Sequence, residues 1–497
     1  MEKKHWKRLI VAGLISLTVA FQTSVSFAAY KPGEVVTKAG TGELGYKDGA
    51  SAAAKFHLPS VAVEAEDGMI YVSDTENHRI RVITPKNEVN TYAGTTNETD
   101  QYGFQVGGYK DDERLKAMFN APKGLALSKE GFLFVVDSGN NAVRVIYKDG
   151  VVNTITKDLN GPTDIVIGND GQLIVSDTLN HRIVEITEQG KISVLAGGGY
   201  SKDGEWLIGS FADGKGDAAK FNEPTGLAID AEGNLYVADT GNQRIRKIDA
   251  AGNVTTFAGI GSSKMDGTSY ISGGFLNGNK TNAQFNFPSS LAFDQNGNLF
   301  VADTLNHIIR VVTVNGTVET VAGIAGESGN KIGPETNAQF DRPVGVTVLK
   351  NGKLLIVDQL NNKVRELSWY GLPANIKGSQ TTIHVVYKNS LIDFKDAAPK
   401  VINGRTLIPL RTVSATFGYK VDWNEATEEI AIQNGDQTVT LKVGDVVVKK
   451  GNHQFTLDIA PEIEKASNRT YVPLRFIAEA FNLQVDWLSD ERVVLIR

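Results

Sequence analysis

A sequence unit with a fixed internal pattern recurs six times along the first three quarters of this chain of 497 residues. The clearest copy runs from Phe221 to Gly259. Each copy carries an Asp followed three positions later by an Asn, and the six pairs are Asp74/Asn77, Asp137/Asn140, Asp177/Asn180, Asp239/Asn242, Asp303/Asn306 and Asp358/Asn361. One such unit cannot bury its apolar residues alone, so the pattern requires units that stack on one another.

The fourth unit divides into four short apolar segments separated by Gly, Asn and Asp. These segments predict strands at Gly226–Asp230, Leu235–Asp239, Arg244–Asp249 and Val254–Ala258. Short strands that are apolar on more than one face need a neighbouring sheet on each side, which the blades of a β-propeller provide. We therefore predict a mainly β fold, with a six-bladed β-propeller over residues 30–372.

The sixth unit stops after its third strand, at Val364–Leu367. Its missing fourth strand has a counterpart at the other end of the propeller, where Val35–Gly40 matches Val254–Gly259 and Val318–Gly323. The N-terminal segment is therefore predicted to complete the last blade, which would close the ring and remove an exposed sheet edge.

The Asp-Thr-x-Asn-His-Arg-Ile-Arg pattern, most literal at Asp74–Arg81 and Asp303–Arg310, resembles the NHL repeat family. The resemblance extends over roughly residues 33–370 and implies a six-bladed propeller. It does not imply one activity, because similar propellers bind proteins, nucleic acid or sugars, and a few are lyases or hydrolases.

The long connections between blades and the Asp-Thr-x-Asn turns are predicted to crown the same face of the propeller. These connections carry a set of aromatic side chains, namely Tyr102, Phe104, Tyr109, Tyr200, Trp206, Phe211, Tyr270 and Phe275. Aromatic rings edged by small polar residues suit sugar rings or peptide segments, so the set is the candidate ligand-binding surface. The alternative is that the rings pack the connections onto the propeller.

Metal binding is a second hypothesis for the same face. His78, His181 and His307 share one repeat position in alternate blades, and three imidazoles are enough for a metal site. The other three blades have Asn141, Gln243 and Asn362 there, which instead indicates a polar turn position. The six repeat aspartates are expected to accept hydrogen bonds from N–H groups of their own turns.

Calcium is a weaker possibility at two acidic loop segments, Tyr46–Gly49 and Phe211–Asp217, which lack complete loop spacing. No cofactor is expected overall. The sequence also contains no Gly-x-Ser-x-Gly, no His-Glu-x-x-His, no Walker loop and no thiol.

A second internal repeat begins after a linker at residues 373–380, and it defines a small α+β domain over residues 381–497. Arg405–Arg411 matches Arg469–Arg475, and Val421–Trp423 matches Val485–Trp487. One apolar helix face is predicted in each copy, from Leu410, Val413 and Phe417 and from Leu474, Ile477 and Phe481. Pro409 and Pro473 fit helix starts, and Gly418 and Asn482 fit left-handed C-caps.

This domain resembles the copper amine oxidase N-terminal-like, or stalk, domain. The resemblance is to an accessory domain, so no copper and no amine oxidation are expected, and the region holds only two histidines, His384 and His453. Arg411 and Arg475 could bind acidic wall polymers, but pairing with Asp422 and Asp486 is the preferred expectation. Trp423 and Trp487 are expected in the core.

The N-terminus has the pattern of an export signal over residues 1–28. Lys3, Lys4, Lys7 and Arg8 precede the apolar run Leu9–Phe21, and Ser26–Ala28 offers small residues for cleavage after Ala28. No stable membrane insertion is expected after cleavage, because a run of this length is short for a membrane span. The absence of cysteine favours the exterior of a Gram-positive-type bacterium.

Charge and composition complete the functional prediction. The net charge is −6, and since residues 1–28 contribute +3, about −9 remains on the rest of the chain, which argues against nucleic acid as a partner. We predict a secreted or wall-associated, non-catalytic binding or scaffold protein, whose propeller loop face binds an envelope protein or a cell-wall glycan. The alternative is a metal-assisted lyase or hydrolase that uses the three histidines.

Overall fold

The computed structural model describes residues 32–497 except 200, 204–205, 374–375, 377–381, 388–389, 396, 452, 482 and 489–491. The predicted signal peptide lies outside the described residues. Within them, strands predominate and the α-helices lie in the C-terminal region. None of the helices in this described part is long and apolar enough to span a membrane.

Six antiparallel sheets of four main strands each form the blades, numbered here in chain order. From the innermost strand outwards, blades 1 to 3 comprise Ala62–Glu64, Ile70–Asp74, Arg79–Ile83 and Glu88–Ala93; Pro122–Leu127, Leu133–Asp137, Ala142–Ile146 and Val152–Thr156; Ile165–Ile167, Leu173–Asp177, Arg182–Ile186 and Ile192–Gly197. Blades 4 to 6 comprise Pro224–Ile229, Leu235–Asp239, Arg244–Ile248 and Asn253–Ala258; Pro288–Phe293, Leu299–Asp303, Ile308–Val312 and Thr317–Ala322; Pro343–Val348, Leu354–Asp358, Lys363–Trp369 and Gly33–Ala39.

Blade 6 is completed by the N-terminal strand, as predicted. Gly33–Ala39 pairs antiparallel with Lys363–Trp369. The ring also closes along its inner strands, because the Thr347 hydroxyl of blade 6 donates to the Ala62 carbonyl of blade 1 at 2.6 Å. One buried apolar cluster joins Ala62 and Val72 of blade 1 to Leu355 and Val357 of blade 6. The structure is therefore a closed propeller without an open blade edge.

The inter-blade connections add short outer segments to several blades. Two-residue strands pair with the outermost strand of blades 1, 4, 5 and 6, and they are Gly49–Ala50, Gly214–Lys215, Gly278–Asn279 and Gly333–Pro334. A small hairpin, Ser201–Asp203 with Trp206–Ile208, lies in the connection from blade 3 to blade 4. The long connections thus have defined structure of their own.

The C-terminal domain contains three small sheets and two helices around one apolar core. The sheets comprise Lys400–Ile402, Arg405–Pro409, Arg469–Pro473 and Glu462–Glu464; Lys420–Asn424, Glu429–Asn434, Gln437–Lys442, Val447–Lys450 and His453–Thr456; His384–Tyr387, Ser390–Leu391, Val485–Leu488 and Val493–Ile496. The helices are α1 (Leu410–Phe417) and α2 (Leu474–Ala480).

The internal repeat of this domain appears as a pseudo-two-fold arrangement. Arg405–Pro409 pairs antiparallel with its repeat Arg469–Pro473, with Ile408 opposite Val472. Each pairing strand leads directly into its helix. Gly418 caps α1 in the left-handed conformation at φ +76°, as predicted, and Asn482 lies outside the described residues.

Two expectations for this domain are wrong. Trp423 and Trp487 are not in the core, because they are 46% and 43% exposed. Asp486 does not pair with Arg475; it accepts a hydrogen bond from Nε of Arg497 at 2.8 Å. The repeat pattern predicts which residues are equivalent but not which face of the strand is covered.

Candidate functional site

Most polar residues that recur in the NHL units bind other residues of the propeller. Five blades bury an arginine on the third strand or its equivalent, namely Arg81, Arg144, Arg246, Arg310 and Arg365. In blade 4, Arg246 contacts the repeat residue Asp239 at 2.7 Å and the loop residue Asp213 at 2.6 Å. A charge removed from water must be paired, so this network is part of the blade framework.

Three of the predicted loop-face aromatics belong to the same network. The Tyr109 ring centroid lies 4.9 Å from Cζ of Arg144, and its hydroxyl is 2.7 Å from the Thr154 hydroxyl. Phe211 and Phe275 lie at 4.8 and 5.0 Å from the buried arginines of blades 4 and 5. These rings cover the blade arginines, so the packing alternative describes them.

The two predicted calcium segments supply carboxylates to the buried arginines. Asp48 lies 2.5 Å from Arg81, and Asp213 contacts Arg246 as described above. Blade 3, which follows a tight connection instead of a long one, has Val184 in place of the arginine, and its Asp177 pairs with Arg182 at 2.7 Å. The loop carboxylate and the buried arginine therefore occur together within this chain.

The repeat aspartates accept hydrogen bonds, but not from backbone N–H groups of their own turns. In blade 4, Asp239 accepts the N–H of Asn222 at 2.8 Å, from the segment that precedes the inner strand. It also accepts the side-chain N–H of Asn242 at 2.9 Å. The expected source of the backbone donor is thus wrong, and the Asp instead ties the turn to the start of its blade.

The three histidines join neighbouring blades. His78 Nδ1 accepts the N–H of Ala121 at 3.0 Å, and His181 Nδ1 accepts the N–H of Glu223 at 3.0 Å. His307 accepts the N–H of Arg342 at 3.2 Å. At the remaining junctions the equivalent Asn141, Gln243 and Asn362 accept the same kind of N–H through their side-chain oxygens. We call these six residues the junction acceptors.

The geometry does not bring the three histidines together as metal ligands. No group of three His, Cys, Asp or Glu side chains suitable for a metal ion occurs among the residues that the structure describes. Burial lowers the pKa of His78 and His307 below the ordinary value for histidine, which favours the neutral form. A neutral ring can accept through Nδ1 while Nε2 donates, as His78 does to the Gln105 carbonyl at 3.0 Å.

The other predicted aromatics differ in their surroundings. Tyr102 is 75% exposed, and Phe104 beside it contacts the His57 ring at 5.1 Å. The Tyr270 hydroxyl donates to Glu223 at 2.5 Å, and its ring stacks on Phe287 at 5.7 Å. Tyr200 and the side chain of Trp206 lie outside the described residues. Tyr102 is thus the most exposed of the predicted rings that the structure describes.

A polar cavity of about 170 Å³ lies where the inner strands of all six blades begin. Its lining residues are Ser60, Val61, Lys123, Thr163, Asp164, Thr225, Gly226, Ser289, Ser290, Val344 and Gln359. The Thr225 hydroxyl contacts that of Thr240 in an Asp-Thr-x-Asn turn at 2.6 Å, which places the cavity at the loop-face end of the propeller axis. We call this cavity the axial mouth.

Lys123 and Asp164 are the charged residues of the axial mouth. Asp164 accepts the N–H groups of Ile165 and Leu227 at 2.9 Å, and burial raises its pKa to about 7. Burial also lowers the pKa of Lys123, opposed by the negative charge of Glu76. Lys123 has no ion pair or hydrogen bond with another described residue. The mouth thus combines a free ammonium group with a carboxyl group that titrates near neutrality.

The sequence analysis missed these two residues, although a signal for them was present. Each inner strand begins with a proline and two further residues, which are Ser60-Val61, Lys123-Gly124, Thr163-Asp164, Thr225-Gly226, Ser289-Ser290 and Val344-Gly345. Lys123 and Asp164 are the charged departures from a pattern of small residues. The search favoured residues that repeat, and these two are recognisable because they do not.

Sequence comparisons identify both parts of the chain. The copper amine oxidase N-terminal domain model matches residues 386–496, the teneurin NHL domain model matches 155–249, and the NHL repeat model matches 285–312. NHL repeat-containing protein 2 from Bos taurus is 27% identical over 414 residues, covering 73% of this chain and 55% of the relative. The chloroplastic protein SUPPRESSOR OF QUENCHING 1 from Arabidopsis thaliana is 29% identical over 304 residues, covering 56% and 27%.

The chain therefore spans about half of one relative and about a quarter of the other. Among solved structures, a protein of unknown function from Bacteroides thetaiotaomicron has a TM-score of 0.51 at 18% identity, covering 68% of this chain and 76% of that one. An auxiliary nutrient binding protein from the same organism has a TM-score of 0.51 at 16% identity, covering 68% and 77%. At these identities the likeness concerns the fold.

The name of the C-terminal family raises the question of copper. His384 and His453 lie on different sheets of the domain, and the described residues contain no cluster of three ligating side chains. The donor set does not fit a copper site, and no step through copper is derived. The chain is an NHL-repeat β-propeller joined to a copper amine oxidase N-terminal domain.

Proposed function

We propose that this protein is an exported, non-catalytic binding scaffold, whose propeller receives a protein or a glycan of the cell envelope at the axial mouth. The observation that carries the proposal is the contrast between two groups of polar residues. The repeated Arg, Asp and His side chains are engaged within or between blades, whereas Lys123 has no partner among the described residues and lines a cavity.

The mouth can recognise a ligand that inserts one polar group. Lys123 offers a cation to a carboxylate or phosphate, and Asp164 can accept from a hydroxyl or an ammonium group. Ser60, Thr163 and Ser289 add hydroxyl groups to the lining. Such a mixed lining provides orientation and specificity, and it lacks the nucleophile–base pair that covalent catalysis requires.

The loops around the mouth can extend the contact surface. Tyr102 is exposed at the loop face, and a cleft of about 470 Å³ lies between Ile208 and the loop Lys264–Ser269. The Ser269 carbonyl accepts from the Asn222 side chain at 2.9 Å, which fixes this loop beside the start of blade 4. A ligand anchored in the mouth would therefore meet ordered loop surface around it.

Two further considerations support the proposal. The basic and apolar N-terminal segment is typical of export, which would place the protein where envelope ligands occur. One protein of similar fold is described as an auxiliary nutrient binding protein, so a ligand-binding role is attributed to a propeller of this type. Neither consideration identifies the ligand.

The test is binding of the full chain without its signal segment to purified Gram-positive sacculi and, separately, to an extracted envelope-protein fraction. The informative variant is Lys123→Thr combined with Asp164→Ser. Thr occupies the Lys123 position in blades 3 and 4, and Ser occupies the Asp164 position in blade 5, so both changes use residues that the fold accepts. Ser290 also accepts a neighbouring N–H, as Asp164 does.

We expect the wild type to bind one of the two materials, and the double variant to lose at least about fivefold in affinity, equivalent to about 1 kcal/mol, without a change in melting temperature. Binding to sacculi would identify a glycan, and binding to the protein fraction would identify a protein. The proposal is overturned if the wild type binds neither, or if the folded double variant binds as well as the wild type.

A further inference from the structure

The C-terminal domain contains two equivalent clefts, with volumes of about 430 and 440 Å³. We name them the Trp423 cleft and the Trp487 cleft after the tryptophan that lines each. They are related by the internal repeat, because Trp423 and Trp487 occupy matching positions, as do Arg411 and Arg475. This part of the molecule is separate from the axial mouth.

Each cleft is built from both copies of the repeat. The Trp423 cleft is lined by Leu410 and Arg411 at the start of α1, by the strand that carries Trp423, and by Arg469 from the other copy. The Trp487 cleft is lined by Leu474 and Arg475 at the start of α2, by the strand that carries Trp487, and by Arg405 from the other copy. The clefts therefore exist only because the two copies pack together.

Both tryptophans expose nearly half of their surface inside a concave site. A large apolar side chain usually contributes to stability by leaving water, so an exposed indole in a cleft indicates a contact surface for a ligand. Its flat apolar face suits the C–H face of a sugar ring, and its N–H can bond to a hydroxyl.

The clefts are also positively charged. Arg411 is exposed and has no ion pair or hydrogen bond with another described residue, and Arg475 lies 3.9 Å from its nearest ion-pair partner, the exposed Glu479. In the Trp487 cleft, Nε of Arg492 is buried and lacks a hydrogen-bond partner within the described structure. A guanidinium group binds a carboxylate through two parallel hydrogen bonds.

We propose that the two clefts bind acidic sugar residues of a polysaccharide, with the indole against the ring and the arginines on the acidic group. The pairing of a flat aromatic surface with free guanidinium groups favours this ligand over a neutral glycan or an acidic peptide. The Trp487 cleft is the stronger site, because it contains Arg405, Arg475 and Arg492, whereas Glu425 opposes the two arginines of the Trp423 cleft.

The test is calorimetric titration of the full chain without its signal segment. The probes are hexagalacturonate as the acidic sugar, maltohexaose as a neutral sugar of the same length, and poly-L-glutamate as a carboxylate polymer without rings. The variants are Trp423→Ala, Trp487→Ala, their combination and Arg475→Gln. Phe455→Ala is the matched control, since Phe455 is 47% exposed but lines neither cleft.

We expect hexagalacturonate to bind at least about tenfold more tightly than either other probe, a difference of about 1.4 kcal/mol. Trp487→Ala and Arg475→Gln should each weaken this binding about tenfold, Trp423→Ala about threefold, and the combined tryptophan variant should abolish it. The Phe455→Ala control and the axial-mouth double variant should bind like the wild type. The inference therefore stands or falls independently of the proposed propeller function.

Three results would overturn the inference. The first is no binding of hexagalacturonate by the wild type. The second is wild-type affinity in the combined tryptophan variant. The third is equal affinity for poly-L-glutamate, which would assign the clefts to acidic peptides, or for maltohexaose, which would remove the role of the arginines.

Discussion

Single polar residues of the propeller serve either the framework or the axial mouth. The junction acceptors illustrate the framework group, because His, Asn and Gln accept an N–H from the next blade at equivalent positions. What the junction requires is an acceptor atom of suitable reach, not imidazole chemistry. Lys123 and Asp164 illustrate the other group, since they line the mouth where most blades have small residues.

His181 tests the framework role. His181→Ala leaves the Glu223 N–H without its acceptor and should lower the free energy of unfolding by about 1–3 kcal/mol. His181→Asn supplies the residue found at two other junctions and should recover at least half of that loss. Urea denaturation of the two variants measures the difference. Equal destabilisation by Ala and Asn would contradict the acceptor role.

Asp164 makes the stability of the propeller depend on pH. Its pKa of about 7 lies above the value of 3.8 for a free aspartate, so between pH 4 and pH 7 the folded protein retains a proton that the unfolded chain has released. Stability from this group is therefore present at low pH and declines as the pH rises through 7, by up to about 4 kcal/mol.

Asp164→Asn should remove that decline while keeping an acceptor oxygen for the Leu227 N–H. Unfolding free energies at pH 5 and pH 8 measure the effect. The variant should gain about 1–3 kcal/mol on the wild type at pH 8 and little at pH 5, since the cost of an ionised buried carboxylate is absent. Parallel pH profiles for the two proteins would show that Asp164 is not the titrating group.

Sequence reasoning succeeded at residues that repeat and failed where the environment depends on tertiary packing. The Asp–Asn pairs and the packing phenylalanines were recognisable in register, and Phe56, for example, is fully buried. Trp423 was assigned to the core because Trp is usually buried, but its strand carries it at a cleft. The partner of Asp486 was also unpredictable, because Arg497 reaches it only in the folded domain.

Among the elements, the strand Gly33–Ala39 has the largest effect on the ring, since it supplies the outer strand of blade 6. Val35 is fully buried in the apolar cluster between blades 5 and 6, and the adjacent Val36 is 38% exposed. The alternation follows from the two faces of a strand. It also provides a matched pair of positions at which to test closure.

Val35→Asp should destabilise the propeller by about 3–5 kcal/mol, because it places an unpaired charge in the cluster, whereas Val36→Asp should cost less than about 1 kcal/mol. Thermal unfolding monitored by near-ultraviolet circular dichroism distinguishes the two variants. If both variants melt like the wild type, the strand does not contribute to ring stability.

The strands were predictable to within a few residues, as in blade 4, where Leu235–Asp239 agrees at both ends. The closing strand was predictable because it repeats the sequence of other fourth strands. The courses of the long connections were not predictable, because their aromatic and acidic residues are held by Arg246 and its equivalents on neighbouring strands. Contacts distant in sequence leave little local signal.

At the scale of the whole molecule, Arg497 connects the C-terminal domain to the propeller. Its side chain is fully buried, and it donates to the Gly33 carbonyl at 2.8 Å and to Glu335 at 2.9 Å. Asp486 of its own domain shares the same guanidinium group. The contact involves the closing strand, so the stability of the two domains should be coupled.

Arg497→Met should leave the carboxylates of Glu335 and Asp486 without their shared partner and destabilise the molecule by about 3–5 kcal/mol. Differential scanning calorimetry should then show a broader or divided transition, because the domains would unfold less cooperatively. The control is Lys350→Met, which removes an exposed ion pair with Glu66 and should cost less than about 1 kcal/mol. An unchanged transition in Arg497→Met would contradict the coupling.

The central claim is that the repeated polar residues build the propeller while the non-repeating charges of the axial mouth bind the ligand. The most direct test compares the combined His78→Asn, His181→Asn and His307→Asn variant with the Lys123→Thr and Asp164→Ser variant. Affinity for whichever envelope material the wild type binds, either sacculi or the envelope-protein fraction, is measured for both folded proteins.

The account predicts that the histidine variant binds within about twofold of the wild type and that the axial-mouth variant loses at least about fivefold in affinity. The opposite pattern, with binding lost in the histidine variant and kept in the axial-mouth variant, would contradict the account. It would assign function to the histidines, and the metal content of the wild type would then be the next quantity to measure.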